Sequence, residues 1–121
     1  MDEFQALHQF WSSFDLPAYD ENTVPDNAAL PRLTYSVSKA SLDEIVLMSA
    51  SIWYRSTSWT QITKKAMEIG RRIGRSGVLL RYDGGVLWIT RGVPFSQRMS
   101  DEDSSIRRIY FNISAEYISG D

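Results

Sequence analysis

The chain contains no cysteine and a single histidine, His8. Without thiols, neither disulfides nor thiolate metal sites hold the fold, and a reducing compartment is the expected setting. One histidine and no cysteine do not make any of the usual zinc ligand sets. A Ser-His-Asp triad would have to use His8. That residue lies off the apolar stripe of its segment and reads as a surface histidine. No G-x-S-x-G turn leads into a helix. No apolar run approaches the roughly 18 residues of a membrane helix, so no membrane is expected among the partners. The opening segment MDEFQALHQFW is acidic and amphipathic, the wrong pattern for a signal or transit peptide. Phosphate loops are missing as well. IGRRIGR (69–75) does not follow a strand as G-x-G-x-x-G, and it lacks a Lys-Ser/Thr ending.

What remains is an ordinary globular composition, 43% hydrophobic and 23% charged over 121 residues. That length predicts one domain, 1–121, with a core of its own. The net charge of −2 hides a segregation. Residues 1–50 hold eight acids and two bases, 51–99 hold nine bases and two acids, and 100–121 hold five acids and two bases. Such charges either sit on solvated faces or pair a basic middle with acidic neighbours, in other copies of the chain or in nucleic acid.

Apolar spacing then divides the chain into elements. Phe4, Leu7, Trp11 and Phe14 share a helical face, so a helix is expected over 2–14. Residues 15–32 carry three prolines and the acids Asp15, Asp20, Glu21 and Asp26, which discourages helix and strand. This is an acidic loop, either a connector or a functional segment. A core of sheet and helix is expected over 33–118. Strict alternation predicts strands at 33–38 and 44–56, joined by a polar break at 39–43 into an antiparallel hairpin.

STSW (56–59) offers hydroxyl caps to a second helix, 59–75, whose stripe is Ile62, Ala66, Ile69 and Ile73. Gly70 and Gly74 are four apart on that helix, where something can approach its backbone closely. Gly77 is the expected stop. Asp83-Gly84 is the turn of a tight hairpin between 78–82 and 86–90. A last strand alternates over 106–118. The fold class is therefore α+β, a single twisted antiparallel sheet with two helices packed on one face, in the order α-β-β-α-β-β-β.

Candidate functional residues fall into two groups. Lys64, Lys65, Arg71, Arg72 and Arg75 lie off the core stripe of the second helix. With Arg81 and Asp83 of the hairpin and Asp20, Glu21 and Asp26 of the acidic loop, they are candidates for a charged interface between subunits. The basic helix is also the natural place for nucleic acid to bind. The second group is the stretch 92–105, read as an exposed docking loop. Its apolar anchors are Phe95 and Met99, beside Arg98, and its charged rim is Asp101, Glu102 and Asp103. In the plainer alternative Phe95 tucks into the core edge. The three acids offer oxygens to a hard cation but lack the calcium-loop spacing and its closing glutamate. No carboxylate pair is singled out for glycoside chemistry. No catalytic, metal or cofactor residue is assigned.

Three runs carry a family resemblance: SASIWYRSTSW (49–59), RYDGGVLWITRGVPFSQRM (81–99) and IRRIYFNISAEYI (106–118). They resemble the tail terminator, or tail-completion, group of small tail proteins from long-tailed bacteriophages of Gram-positive bacteria. The resemblance extends from Leu33 onward. It implies a homo-oligomeric ring, commonly of six copies, that caps the tail tube and faces the head connector. DNA would be a partner only as it passes through the ring lumen. No enzyme activity is implied. The implied location is the virion, after assembly in the host cytoplasm. The alternatives are another neck or tail-tube structural protein, or a nucleic-acid-binding accessory domain using helix 59–75.

Overall fold

The computed structural model describes residues 1–39 and 44–119. Its first element is α1 (Glu3–Trp11), opened by a reciprocal cap. The Asp2 carboxylate accepts the Gln5 N–H at 2.8 Å, and the Gln5 side chain accepts the Asp2 N–H at 2.9 Å. A 3-10 turn, Ser12–Phe14, ends the helix. The strands are β1 (Ala18–Asp20), β2 (Arg32–Tyr35), β3 (Ile45–Arg55), β4 (Val78–Tyr82), β5 (Gly85–Met99) and β6 (Ile106–Ser119). Between β3 and β4 runs α2 (Thr60–Ile73).

The α+β class stands, with one correction to the order. The chain runs α-β-β-β-α-β-β-β, because β1 lies within the segment read as loop 15–32. β1 pairs in parallel with β2, while every other pairing is antiparallel. Three residues beside Pro17 are too short for an alternation signal. Only the partner strand makes Ala18–Asp20 extended, with the Leu33 N–H donating to the Pro17 carbonyl at 2.8 Å. The expected break at 39–43 lies, apart from Lys39, outside the described residues.

The six strands form one sheet in the order β1-β2-β3-β6-β5-β4. β6 is central, with β3 along one side and β5 along the other. Its inward row is Ile109, Phe111, Ile113, Ala115 and Tyr117, all buried. Alternation dictates that row, since successive side chains point to opposite faces. Met48, Ala50 and Ile52 of β3 and Leu87 and Ile89 of β5 lie beside it. Both helices cover this face and join one core: Leu7, Phe10 and Trp11 from α1, and Ile62, Ala66, Ile69 and Ile73 from α2.

The stripe of α1 differs from the expected one by a residue. Phe4 is exposed, and Phe10 takes its place in the core, edge-on to Trp11 with centroids 4.9 Å apart. The 3-10 turn after Trp11 brings Phe14 in beside Phe10, at 5.4 Å. The expected hydroxyl cap of α2 is present, though from Ser58, since Trp59 at the cap position offers no side-chain bond. The Ser58 hydroxyl accepts the Thr60 N–H at 3.1 Å. Helix α2 stops at Gly74 rather than Gly77, in a left-handed-φ conformation (φ 67°).

A polar contact ties the start of α1 to the segment that follows β2. Lys39 Nζ donates to Glu3 at 2.6 Å. Lys39's hydrogen bond, Glu3's own backbone bond and the lysine charge hold the Glu3 carboxyl below its ordinary value, against a smaller effect of burial. Nearby, the Tyr117 hydroxyl donates to the Ser38 carbonyl at 2.9 Å. Burial, with the Glu3 charge as a lesser cause, pushes Tyr117 up to about 12.

Two outcomes follow. Phe111→Ala should lower unfolding stability by about 3–5 kcal/mol, while Phe4→Ser should change it by less than about 0.5 kcal/mol, read from urea midpoints. Because the folded pKa of Glu3 is depressed, its contribution is present above its unfolded value and fades as pH falls through the folded one. The melting temperature of Lys39→Met should therefore lie below wild type at pH 7, and the gap should close on acidification below about pH 4.5.

Candidate functional site: a basic groove between a helix and a free strand edge

The expected strand at 86–90 does not end there. β5 continues to Met99, through a register shift between Arg91 and Ser96. Arg91 stands opposite Ile113 and Ser96 opposite Phe111, so Asn112 alone faces residues 92–95. This bulge is held from β6, where the Asn112 side-chain amide donates to the Pro94 carbonyl at 2.8 Å. Glycine is needed at its start. A Cβ on Gly92 would lie 2.9–3.0 Å from the backbone of Asn112. Phe95, Arg98 and Met99 are therefore strand residues, and the docking loop shrinks to the turn that follows Met99.

The bulge changes the face on which each residue lies. Before it, Leu87, Ile89 and Arg91 share the inward side with their β6 partners. After it, the inward positions are Ser96, opposite Phe111, and Arg98, opposite Ile109. Phe95 fills the bulge itself. Its ring lies 5.2 Å from that of Phe111, centroid to centroid. It also presses on α2, where a Cβ on Gly70 would come within 3.3 Å of the ring. The close approach expected at Gly70 is thus made by Phe95, which is half-buried at the edge of the core. Arg91 bridges to the end of the same helix. Its Nε donates to the Gly74 carbonyl at 3.1 Å, where a helix C-terminus favours positive charge.

β4 pairs only with Gly85–Ile89. Among the described residues, β5 beyond Ile89 therefore has β6 on one side and no strand on the other. Between this free edge and α2 runs a groove of about 880 Å³. One wall is a face of α2 at spacings of three and four: Thr63, Ala66, Met67, Gly70, Arg71, Gly74 and Arg75. The other wall is Arg91 with Phe95, Ser96, Gln97 and Arg98, and Ile109 also lines the groove. Four arginines line it and no acid does. Met67, at 55% exposure, adds an apolar patch to a polar rim.

The predicted interface residues do not converge on one surface. Arg71 and Arg75 enter the groove, and Lys64 is exposed on the same helix. Lys65 is turned toward α1, donating to the Phe14 carbonyl at 2.8 Å and pairing with Glu68 at 3.2 Å. Arg72 lies over the Phe14 ring at 5.6 Å and, with Arg81, lines a separate cleft against α1. Asp83 pairs with the amino group of Met1. Glu21 and Asp26 are exposed, and the Asp20 carboxylate accepts the Asn22 N–H at 2.9 Å just after β1. The basic groove and the acidic segment thus sit at opposite edges of the sheet order. Arg91 was missed as a site residue, because it lies outside the basic helix and just beyond the strand read as 86–90.

The acids of the remaining turn are engaged locally. The Asp101 carboxylate accepts the Asp103 N–H at 2.9 Å, and Asp103 accepts both the N–H and the hydroxyl of Ser105. Those Ser105 bonds, aided by Arg55 at 3.4 Å, hold the Asp103 carboxyl below its ordinary value. Glu102 is exposed. Arg98 leans over Trp59 at 4.6 Å from the ring centroid, and Arg107 flanks the same ring at 5.3 Å. His8 is exposed, its ring nitrogens within 2.9 Å of the Tyr35 hydroxyl and 3.3 Å of the Ser12 hydroxyl. Among the described residues, no three His, Asp or Glu side chains gather as metal ligands.

A second exposed feature lies on the opposite face of the sheet. Register places Ile45, Glu116, Trp88 and Leu79 side by side across four strands. Ile45, Trp88 and Leu79 are all exposed, as is Leu47 two residues along β3. The other end of that face is closed by the chain's own side chains, with Arg108 stacked 4.3 Å and Arg32 5.7 Å from the Trp53 ring.

No protein-family model matches the sequence, and no curated protein matches it. Among solved structures the fold is similar to that of a chain in the virion of a native gene transfer agent particle. The TM-score is 0.60 at 17% identity, over 97% of this chain and 91% of that one. At that identity the likeness is one of fold.

Phe95→Ala should cost about 2 kcal/mol, less than the roughly 3–5 kcal/mol of a fully buried phenylalanine. Gly92→Ala should cost about 1–3 kcal/mol through overpacking against Asn112. Both are read from urea unfolding, with a circular dichroism spectrum of the folded variants unchanged.

Proposed function

We propose that this chain is a structural protein of a phage-type particle, and more narrowly a tail terminator. In this reading it assembles as a ring, commonly of six copies, on the end of the tail tube and faces the head connector. The observation that carries the proposal is the fold likeness to a virion chain along nearly the whole of both molecules. The three runs that resemble tail terminators support the narrower statement. All three contribute to one sheet, as β3, β4, β5 and β6. The role proposed is non-catalytic. His8 is held by Tyr35 and Ser12, and Asp101 and Asp103 are occupied by their own loop.

Charge segregation supports assembly by head-to-tail contact. A ring needs a different patch on each side of the subunit. This chain carries a basic groove at one edge of its sheet order and an acidic segment at the other. The exposed row of Ile45, Trp88 and Leu79 gives a third surface of the kind that meets other proteins. DNA is a partner only as it passes through the lumen, and contacts there are to phosphate rather than to sequence.

Electron microscopy of the purified protein mixed with tail tubes tests the proposal. Rings seated on one end of the tube are expected, together with native masses at a multiple of 13.9 kDa. A strictly monomeric protein that never docks on a tube end refutes it. Tight duplex binding that weakens steeply with salt, in the absence of rings, would instead favour the nucleic-acid reading of the basic helix.

A further inference from the structure

We propose that the groove between α2 and β5 receives the acidic segment 20–26 of a second copy of this chain. The inference rests on the ring reading and adds to it the two surfaces that meet.

Complementary charge is left without ion-pair partners within the chain. Arg71, Arg75, Arg91 and Arg98 line the groove. Asp20, Glu21 and Asp26 stand on the segment that leaves β1. Among the described residues, none of these seven has an ion-pair partner in its own chain. Among the described residues, four other acids have partners within the chain: Glu3 with Lys39, Glu68 with Lys65, Asp103 with Arg55 and Asp83 with the Met1 amino group. The four groove arginines are gathered in one place and the three segment acids in another.

The acidic segment follows β1, the strand at one end of the sheet order. The groove lies along β5, whose free edge is exposed near the other end. A single chain does not bring the two together, whereas a neighbour placed head to tail does so at every interface.

The groove walls suit such a segment in shape and chemistry. The backbone of β5 from Ser96 to Arg98 is paired on one side only, so an extended segment can add along its edge. Facing it, Met67 of α2 offers apolar surface, with Phe95 packed on Gly70 at the base of the groove. The segment supplies matching groups. Val24 and Pro25 sit between the acids, after a turn in which the Thr23 N–H donates to the Asp20 carbonyl at 2.9 Å, and residues 24–25 themselves are neither helix nor strand in the free chain. Charge pairs at the rim set register and encounter rate, while the apolar contacts hold the complex.

The absence of cysteine gives a clean test. One preparation carries Ser96→Cys in the groove and another carries Asn22→Cys in the segment, both exposed positions. With a short bismaleimide linker, the mixture should yield covalent dimers that neither preparation forms alone. Adding Arg71→Glu and Arg75→Glu to the first preparation should abolish the dimer without shifting the melting temperature. A chain carrying those changes together with Asp20→Lys and Glu21→Lys should assemble again. Self-association should weaken at least about tenfold for either reversal alone.

Rings on tail tubes without the cross-linked dimer, or unaffected by the reversals, overturn this inference and leave the ring reading standing. A wild-type chain that stays monomeric and never docks overturns both. Duplex DNA retained by the wild type and lost on Arg71→Glu with Arg75→Glu, with no copy-to-copy dimer, assigns the groove to nucleic acid instead.

Discussion

The inward row of β6 is the constraint on which the rest of the molecule depends. Ile109, Phe111, Ile113, Ala115 and Tyr117 meet β3 on one side, β5 on the other and both helices above. A buried apolar row contributes roughly 1.5–3 kcal/mol for each large side chain removed from water. It also fixes register, because a slip of one residue would turn the row to solvent. Phe111 transmits that constraint outward. It contacts Phe95, which presses on Gly70, so the spacing between α2 and the free edge of β5 is set by the core. The groove is rigid at its base for the same reason that the domain is folded.

The bulge in β5 turns this packing into a surface with a function. Four residues, 92–95, face Asn112. The extra length carries Phe95 into the core edge and shifts Ser96 and Arg98 onto the groove side. A strand without the shift would have continued the inward row of Leu87 and Ile89. Arg91, at the last inward position before the shift, closes the end of α2 instead. The arginines of the groove therefore come from two elements far apart in sequence, brought together by a helix stop and a strand irregularity.

Most of the fold was legible, for a physical reason. β3, β6 and the β4–β5 hairpin each alternate cleanly, and α2 repeats its apolar residues every three or four. In these elements burial alone decides the conformation, and burial leaves a period in the sequence. Two elements left none, and a third left an ambiguous one. β1 has three residues and is extended only because β2 holds it. The second half of β5 breaks period at its bulge and carries a proline, so it imitates a loop. In α1 the alternatives Phe4 and Phe10 are both aromatic and both within a turn of Leu7, and only the packing of Phe10 on Trp11 and Phe14 shows which faces the core.

The candidate site was legible in part. The charge segregation and the close approach at Gly70 both belong to the sequence. The sequence determined which residues are charged, which are apolar and at what spacing. That is enough to fix the class of fold, because period and burial are local properties. Tertiary structure decided which charges share a surface. It sent Arg71 and Arg75 to the groove with Arg91 and Arg98, and Arg72 and Arg81 to the α1 cleft. It also took Lys65 out of the basic face, to the Phe14 carbonyl and Glu68. Neighbours on one helix diverge by about 100° per residue, and the side of a helix that stays open depends on what packs against the other. No local pattern carries that information.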